Sequence, residues 1–176
     1  MTRHKEASVK VGATPEAVFA RLDDQTRLGE HMEKPSLMMG GGQMTYAFDA
    51  QKGQAVGSHI RAGGSAFGMR IELDEVVTER TPPRRKAWRT VGEPRLLVVG
   101  PYEMGFDLEP IPGGSALTVW IDYDLPPKGL GRGLPLLADG YARWCVEQMA
   151  QDARRAFGAP AQAAGAGGFT AGRPAA

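Results

Sequence analysis

The chain reads as one small α+β domain: a seven-stranded, antiparallel, curved sheet with two short helices and one long C-terminal helix over a cavity. Three observations predict this. Apolar and polar residues alternate through most of the chain, the period of half-buried strands. Tight-turn residues separate the alternating runs, as in an antiparallel meander. The period lengthens to that of a helix only after the first run and again before the C-terminus.

The first strand is Lys5 to Val11, where Ala7, Val9 and Val11 alternate with polar neighbours. Thr14-Pro15-Glu16 then starts a helix, with a capping hydroxyl, proline at the first helical position and an acid in the first turn. Val18, Phe19 and Leu22 form its apolar stripe. Asp23-Asp24 end it and cap a second short helix, Gln25 to Met32, which Pro35 closes. Five runs follow: Met44 to Asp49, Gly57 to Ala66, Met69 to Arg80, Lys86 to Val91 and a long one from Leu96 to Leu108, kinked at Gly100-Pro101. Pro82-Pro83 and Pro112-Gly113-Gly114 supply turns, and Ala116 to Leu125 is the last strand. After a glycine-rich connection, Pro126 to Gly133, the strongest helical pattern runs from Asp139, its expected N-cap, to Phe157, with Gly158 as C-cap.

A chain of 176 residues has room for one domain with its own core, burying about 70% of its unfolded surface. With 21 Lys+Arg against 20 Asp+Glu, the charge gives no argument for nucleic acid or an anionic membrane. Arg84-Arg85-Lys86 and Arg154-Arg155 read as solvated faces, without the interleaved aromatics of a nucleic-acid surface. No apolar run is long enough for integral membrane insertion, and the N-terminus lacks a signal-peptide pattern. The lone Cys145 fits a reducing compartment, so a cytoplasmic location is expected. Residues 1–157 form the expected domain. Residues 158–176 are almost all Ala, Gly and Pro and read as a flexible tail.

One long helix covers only part of a concave sheet, which leaves a cavity lined by the inward set of each strand. The element order, the stretch Ala13-Thr14-Pro15-Glu16-Ala17-Val18-Phe19 and the hairpin Pro112 to Val119 resemble the START/Bet v 1-like (SRPBCC) superfamily and its helix-grip fold. Tyr141-Ala142-Arg143-Trp144-Cys145 is similar to its bacterial polyketide cyclase/dehydrase and lipid-transport members. The resemblance spans roughly residues 5–157 and implies binding of a lipid-like, polyketide-like or aromatic small molecule. It leaves open a cyclase or dehydratase enzyme acting on such a ligand, and a co-chaperone-like protein-interaction module.

Eight methionines suit a pocket of adaptable shape, and Met39, Met44, Met69 and Met104 fall at inward or mouth positions. Tyr46, Phe48, Phe67, Trp88, Tyr102, Phe106, Tyr123 and Trp144 are the aromatic candidates for ligand contact. Gly40-Gly41-Gly42 reads as a gate at the cavity mouth, since no GK[ST] follows to make a phosphate loop. Trp120 opposes the parity of Val119 and Ile121; exposed on the outer face, it would offer a partner or homodimer contact. Among acid–base groups, His59, Arg61 and Glu72 fall on the outward parity; Glu103, Asp107 and Asp122 complete the set, and no catalytic residue is assigned. His4, His31 and His59 are too scattered for a metal site, and no cofactor is implied. Cys145 has no activating base in the sequence and reads as a small buried hydrophobe.

Overall fold

A computed structural model of the protein describes residues 2–24, 44–66, 68–96, 98–125 and 134–161. Strand β1 (Arg3–Val11) leads into helix α1 (Pro15–Leu22). Strands β2 (Met44–Phe48), β3 (His59–Ala66), β4 (Met69–Thr81), β5 (Arg85–Arg95), β6 (Tyr102–Ile111) and β7 (Gly114–Tyr123) follow, then helix α2 (Leu134–Phe157). All seven strands form one antiparallel sheet in the order β1-β7-β6-β5-β4-β3-β2. This is the antiparallel meander that the alternation implied, in the helix-grip arrangement that the resemblance implied. The expected second helix, the glycine gate, the connection Pro126–Gly133, Met39 and Phe67 lie outside the described residues.

Local chemistry sets several boundaries. The Thr14 hydroxyl accepts the Ala17 N–H, and the Asp23 N–H closes α1 on the Phe19 carbonyl. At the other end of the chain, Gly158 has φ +69° and donates to the Arg154 carbonyl, the left-handed cap that ends α2. The chain then stays docked, because the Gly12 N–H donates to the Gly158 carbonyl. Gly105 sits where a Cβ would approach the Lys86 carbonyl to 2.4 Å and the Trp120 ring to 2.8 Å, so only glycine lets that ring lie over β6.

Two element boundaries differ from expectation. Helix α2 begins at Leu134, and Asp139 lies inside it, facing the sheet. There its carboxylate takes the Arg3 guanidinium at 2.8 Å and the Tyr123 hydroxyl, so an acid that resembles a cap is a tether between α2 and the strands. The run from Leu96 to Leu108 is not one strand: β5 continues to Arg95, and β6 starts at Tyr102. The Gly100 N–H is taken by Asp124 and the Asp124 N–H by Pro101, which anchors the turn to the end of β7 instead.

Helix α2 lies across β1 and β7. Its Ala138, Ala142, Val146, Met149, Ala150 and Ala153 pack with α1 and with inward residues of β5, β6 and β7 in the main apolar cluster. A second cluster of Met44, Ala62 and Ile71, with Tyr46 and Leu73 against it, occupies the β2–β4 end. Among the described residues no helix is long and apolar enough to cross a membrane.

Candidate functional site

Alternation along β4 puts Ile71, Leu73, Glu75 and Val77 on the inner face of the sheet, so an acid stands in an apolar row. Glu75 is only 5% exposed. Ile60 of β3 and Thr90 of β5 stand directly opposite it. The Thr90 hydroxyl accepts the Tyr102 N–H at 3.1 Å, which fixes the start of β6 beside β5 although their regular pairing ends at Arg89 and Glu103. From that anchor the Tyr102 side chain reaches back across β5, and its hydroxyl donates to Glu75 Oε1 at 2.5 Å. The Trp88 side chain also hydrogen-bonds the carboxyl.

Burial pushes the Glu75 carboxyl up to about 7, against the hydrogen bonds from Tyr102 and Trp88, while the nearby Asp74 charge adds to the rise. Near neutral pH this group therefore exchanges between a hydrogen-bond donor and an acceptor. Burial, and then the neighbouring Glu75, hold Tyr102 well above the usual phenol range, so it stays a neutral donor. Tyr141 of α2 is raised in the same way, first by burial, and Tyr46 and Glu75 contribute. Burial takes the Cys145 thiol to about 12 despite its hydrogen bond with Tyr141, so it is no thiolate nucleophile. What this group of side chains can do is donate, accept or hold a proton beside an apolar surface.

The residues expected at a ligand site divide by position. Trp88, Met104, Phe106 and Tyr123 are buried in the main cluster, and the Tyr123 hydroxyl is held by Asp139. Tyr102 shares their face but stays half-buried beside Glu75. Met44 is buried at the second cluster; Tyr46 and Phe48 stack with centroids 6.3 Å apart and keep part of their surface. Trp144 is half-buried and packs against Tyr141 at 6.0 Å. Met69 is 49% exposed at the start of β4.

The six acid–base groups weighed from sequence all lie on the other face of the sheet. His59 and Arg61 meet Asp74 there, Arg70 pairs with Glu72, Thr78 donates to Glu103, and Asp122 binds His4. Asp107 takes the Trp120 indole N–H at 2.9 Å, and the Arg85 guanidinium lies 5.0 Å above the same ring. Trp120 is thus on the outer face as its parity implies, yet only 8% exposed, because Arg85 covers it. A groove of about 440 Å³ crosses that outer face past Thr45, Arg61, Glu72 and Asp74, away from the Glu75 carboxyl.

Lys86 corrects the reading of its basic run as a solvated face, for it is fully buried. Its ammonium donates to the Asp23 carbonyl and carboxylate, both at 2.9 Å, while Arg80 grips the same carboxylate at 2.8 Å. Glu75 is the residue that sequence reasoning missed. Its signal was present, since the parity that turns Ile71 and Leu73 inward turns Glu75 inward too.

The family model described as "Polyketide cyclase / dehydrase and lipid transport" matches residues 2–158. No curated protein sequence matches. Among solved structures, a protein of Thermus thermophilus superposes with a TM-score of 0.63 at 16% identity, covering 87% of this chain and 95% of its own. The ginseng major latex-like protein 151 from Panax ginseng gives 0.59 at 10% identity, covering 89% and 97%. The di-domain ARO/CYC StfQ from the steffimycin biosynthetic pathway gives 0.61 at 11% identity, with 88% of this chain matched to 49% of that one. At such identities the likeness is one of fold.

Proposed function

Because the chain belongs to the polyketide cyclase/dehydrase and lipid-transport family, we propose that it binds a hydrophobic small molecule between the inner face of the sheet and α2. One observation carries this reading: Tyr102 and Tyr141 stay only half-buried beside a buried carboxyl, with the half-buried Trp144 packed on Tyr141. Among the described residues the buried apolar side chains form a main cluster at the α2-covered end and a smaller one at the β2–β4 end, with Leu96 packed against both. An apolar ligand would gain from burial against the aromatic side chains, and Glu75 with Tyr102 would orient its polar atom.

The test is native mass spectrometry of the protein purified from its own host, with organic extraction and identification of what it carries. A stoichiometric apolar molecule that raises the melting temperature is expected. An empty protein that also ignores fatty alcohols, sterols and aromatic ketones would sink the reading and turn attention to a macromolecular partner.

The acidity of Glu75 favours a second reading, chemistry on the bound molecule. Its carboxylate would take a proton from the carbon beside a ketone, and the Tyr102 hydroxyl would hydrogen-bond the enolate oxygen so formed. Glu75→Gln should then abolish turnover of a poly-β-ketone while leaving its binding within about threefold. Equal turnover by the variant would exclude this role.

A further inference from the structure

Taking the inner face as the ligand site, we infer that it selects neutral apolar molecules bearing a ketone or hydroxyl oxygen and rejects carboxylates such as free fatty acids or aromatic acids. The reason lies in where the charges of the inner side have gone. A carboxylate leaves water at acceptable cost only if a cation or several N–H donors receive it. Among the described residues, the cations nearest this side of the sheet are already held by acids. Arg3 and Lys5 sit on Asp139, at 2.8 and 3.8 Å. Arg80 and Lys86 sit on Asp23, at 2.8 and 2.9 Å.

Among the described residues, the groups facing Glu75 from the surrounding elements are neutral. They are Ile60 of β3, Trp88 and Thr90 of β5, and Tyr102 of β6. Tyr46 of β2 and Tyr141 of α2 lie close to this group and Cys145 hydrogen-bonds Tyr141, with the Tyr141 phenol and the Cys145 thiol held in their neutral forms by burial. Asp74, next along β4, adds only negative charge. A ligand's polar end would therefore meet a carboxyl and a phenol. A ketone oxygen accepts from either, and a ligand hydroxyl can also donate to the carboxylate form. Among the described residues a ligand carboxylate finds no cation there that an acid does not already hold, and it meets a like charge once Glu75 ionises. Since burial sets that ionisation at about 7, the rejection should sharpen as pH rises through neutrality.

Two matched pairs of probes test this on the full chain by calorimetry: dodecanol against dodecanoate, and acetylnaphthalene against naphthoate. The neutral member of each pair should bind about tenfold or more tightly at about pH 8, with the gap shrinking at about pH 6. Glu75→Gln should shrink the gap at the higher pH. The pH comparison on the unaltered protein needs no variant, so it stands even if the substitution unfolds the chain. Carboxylates binding as tightly as their neutral partners would overturn the inference while leaving the ligand-binding reading intact. A gap that ignores pH, or that a folded Glu75→Gln variant retains, would overturn the assignment to Glu75. Failure of all four probes would overturn the ligand reading and the selectivity together.

Discussion

Glu75 concentrates the residue-scale physics of this molecule. In the unfolded chain its carboxyl titrates near 4.5; in the fold, burial moves it to about 7. As pH rises, the unfolded state loses this proton first, so the native state binds more protons and stability falls across that window. The loss should amount to about 3 kcal/mol by pH 8, because a tenfold difference in proton affinity between the two states is worth about 1.4 kcal/mol. Glu75→Gln keeps the shape and a hydrogen-bonding oxygen without the charge. Urea denaturation should therefore show a variant less stable than the parent or equal to it near pH 5, and more stable near pH 8. Parallel pH profiles for the two proteins would mean that Glu75 titrates like an exposed acid.

At the scale of elements, α1 is tied to the sheet by the Asp23–Lys86–Arg80 group at its C-terminal end. Burial alone would raise Asp23, but hydrogen bonds from Arg80 and Lys86 outweigh it and hold the carboxylate below its usual range. Burial likewise lowers Lys86, against the support of Asp23. The two substitutions should differ. Asp23→Asn strands a buried ammonium and should cost about 3–5 kcal/mol. Lys86→Met leaves Arg80 on Asp23 and fills the space with an apolar chain, so its cost should be clearly smaller. Equal shifts in the urea midpoint would show that the ammonium contributes as much as the carboxylate.

The whole molecule closes where its last described residues return to its first. The Gly158 carbonyl accepts the Gly12 N–H, and Ala161 lies against the β6–β7 turn at Gly113. A chain ending at Ala161 should melt with the full-length protein, because the residues beyond it are almost all Ala, Gly and Pro, with little apolar area to bury. A chain ending at Phe157 loses the helix cap and the bond to Gly12 and should be destabilised by about 1 kcal/mol or more. Thermal melts of the three lengths decide it: a lower melting temperature for the chain ending at Ala161 would give the remaining segment a structural role.

Most of the fold was legible because strand parity, turn residues and helix caps are local properties. Alternation along Met69 to Val77 and Gly114 to Tyr123 identifies strands and their inner faces without knowledge of any partner, whereas the irregularity after Val77 that turns Arg80 inward does not show in it. That same parity determined that Glu75 turns inward and Trp120 outward. What only the tertiary structure decided is what each side chain meets there. Tyr102 reaches Glu75 across a separation of 27 residues because Thr90 anchors it where the β5–β6 pairing gives out. Lys86 is buried because Asp23, 63 residues earlier, ends α1 above it, and Trp120 is covered because Arg85 lies over its ring. Register, bulges and the docking of helices set these contacts. They depend on distant parts of the chain at once, whereas a period of two residues is fixed by the backbone of the strand itself.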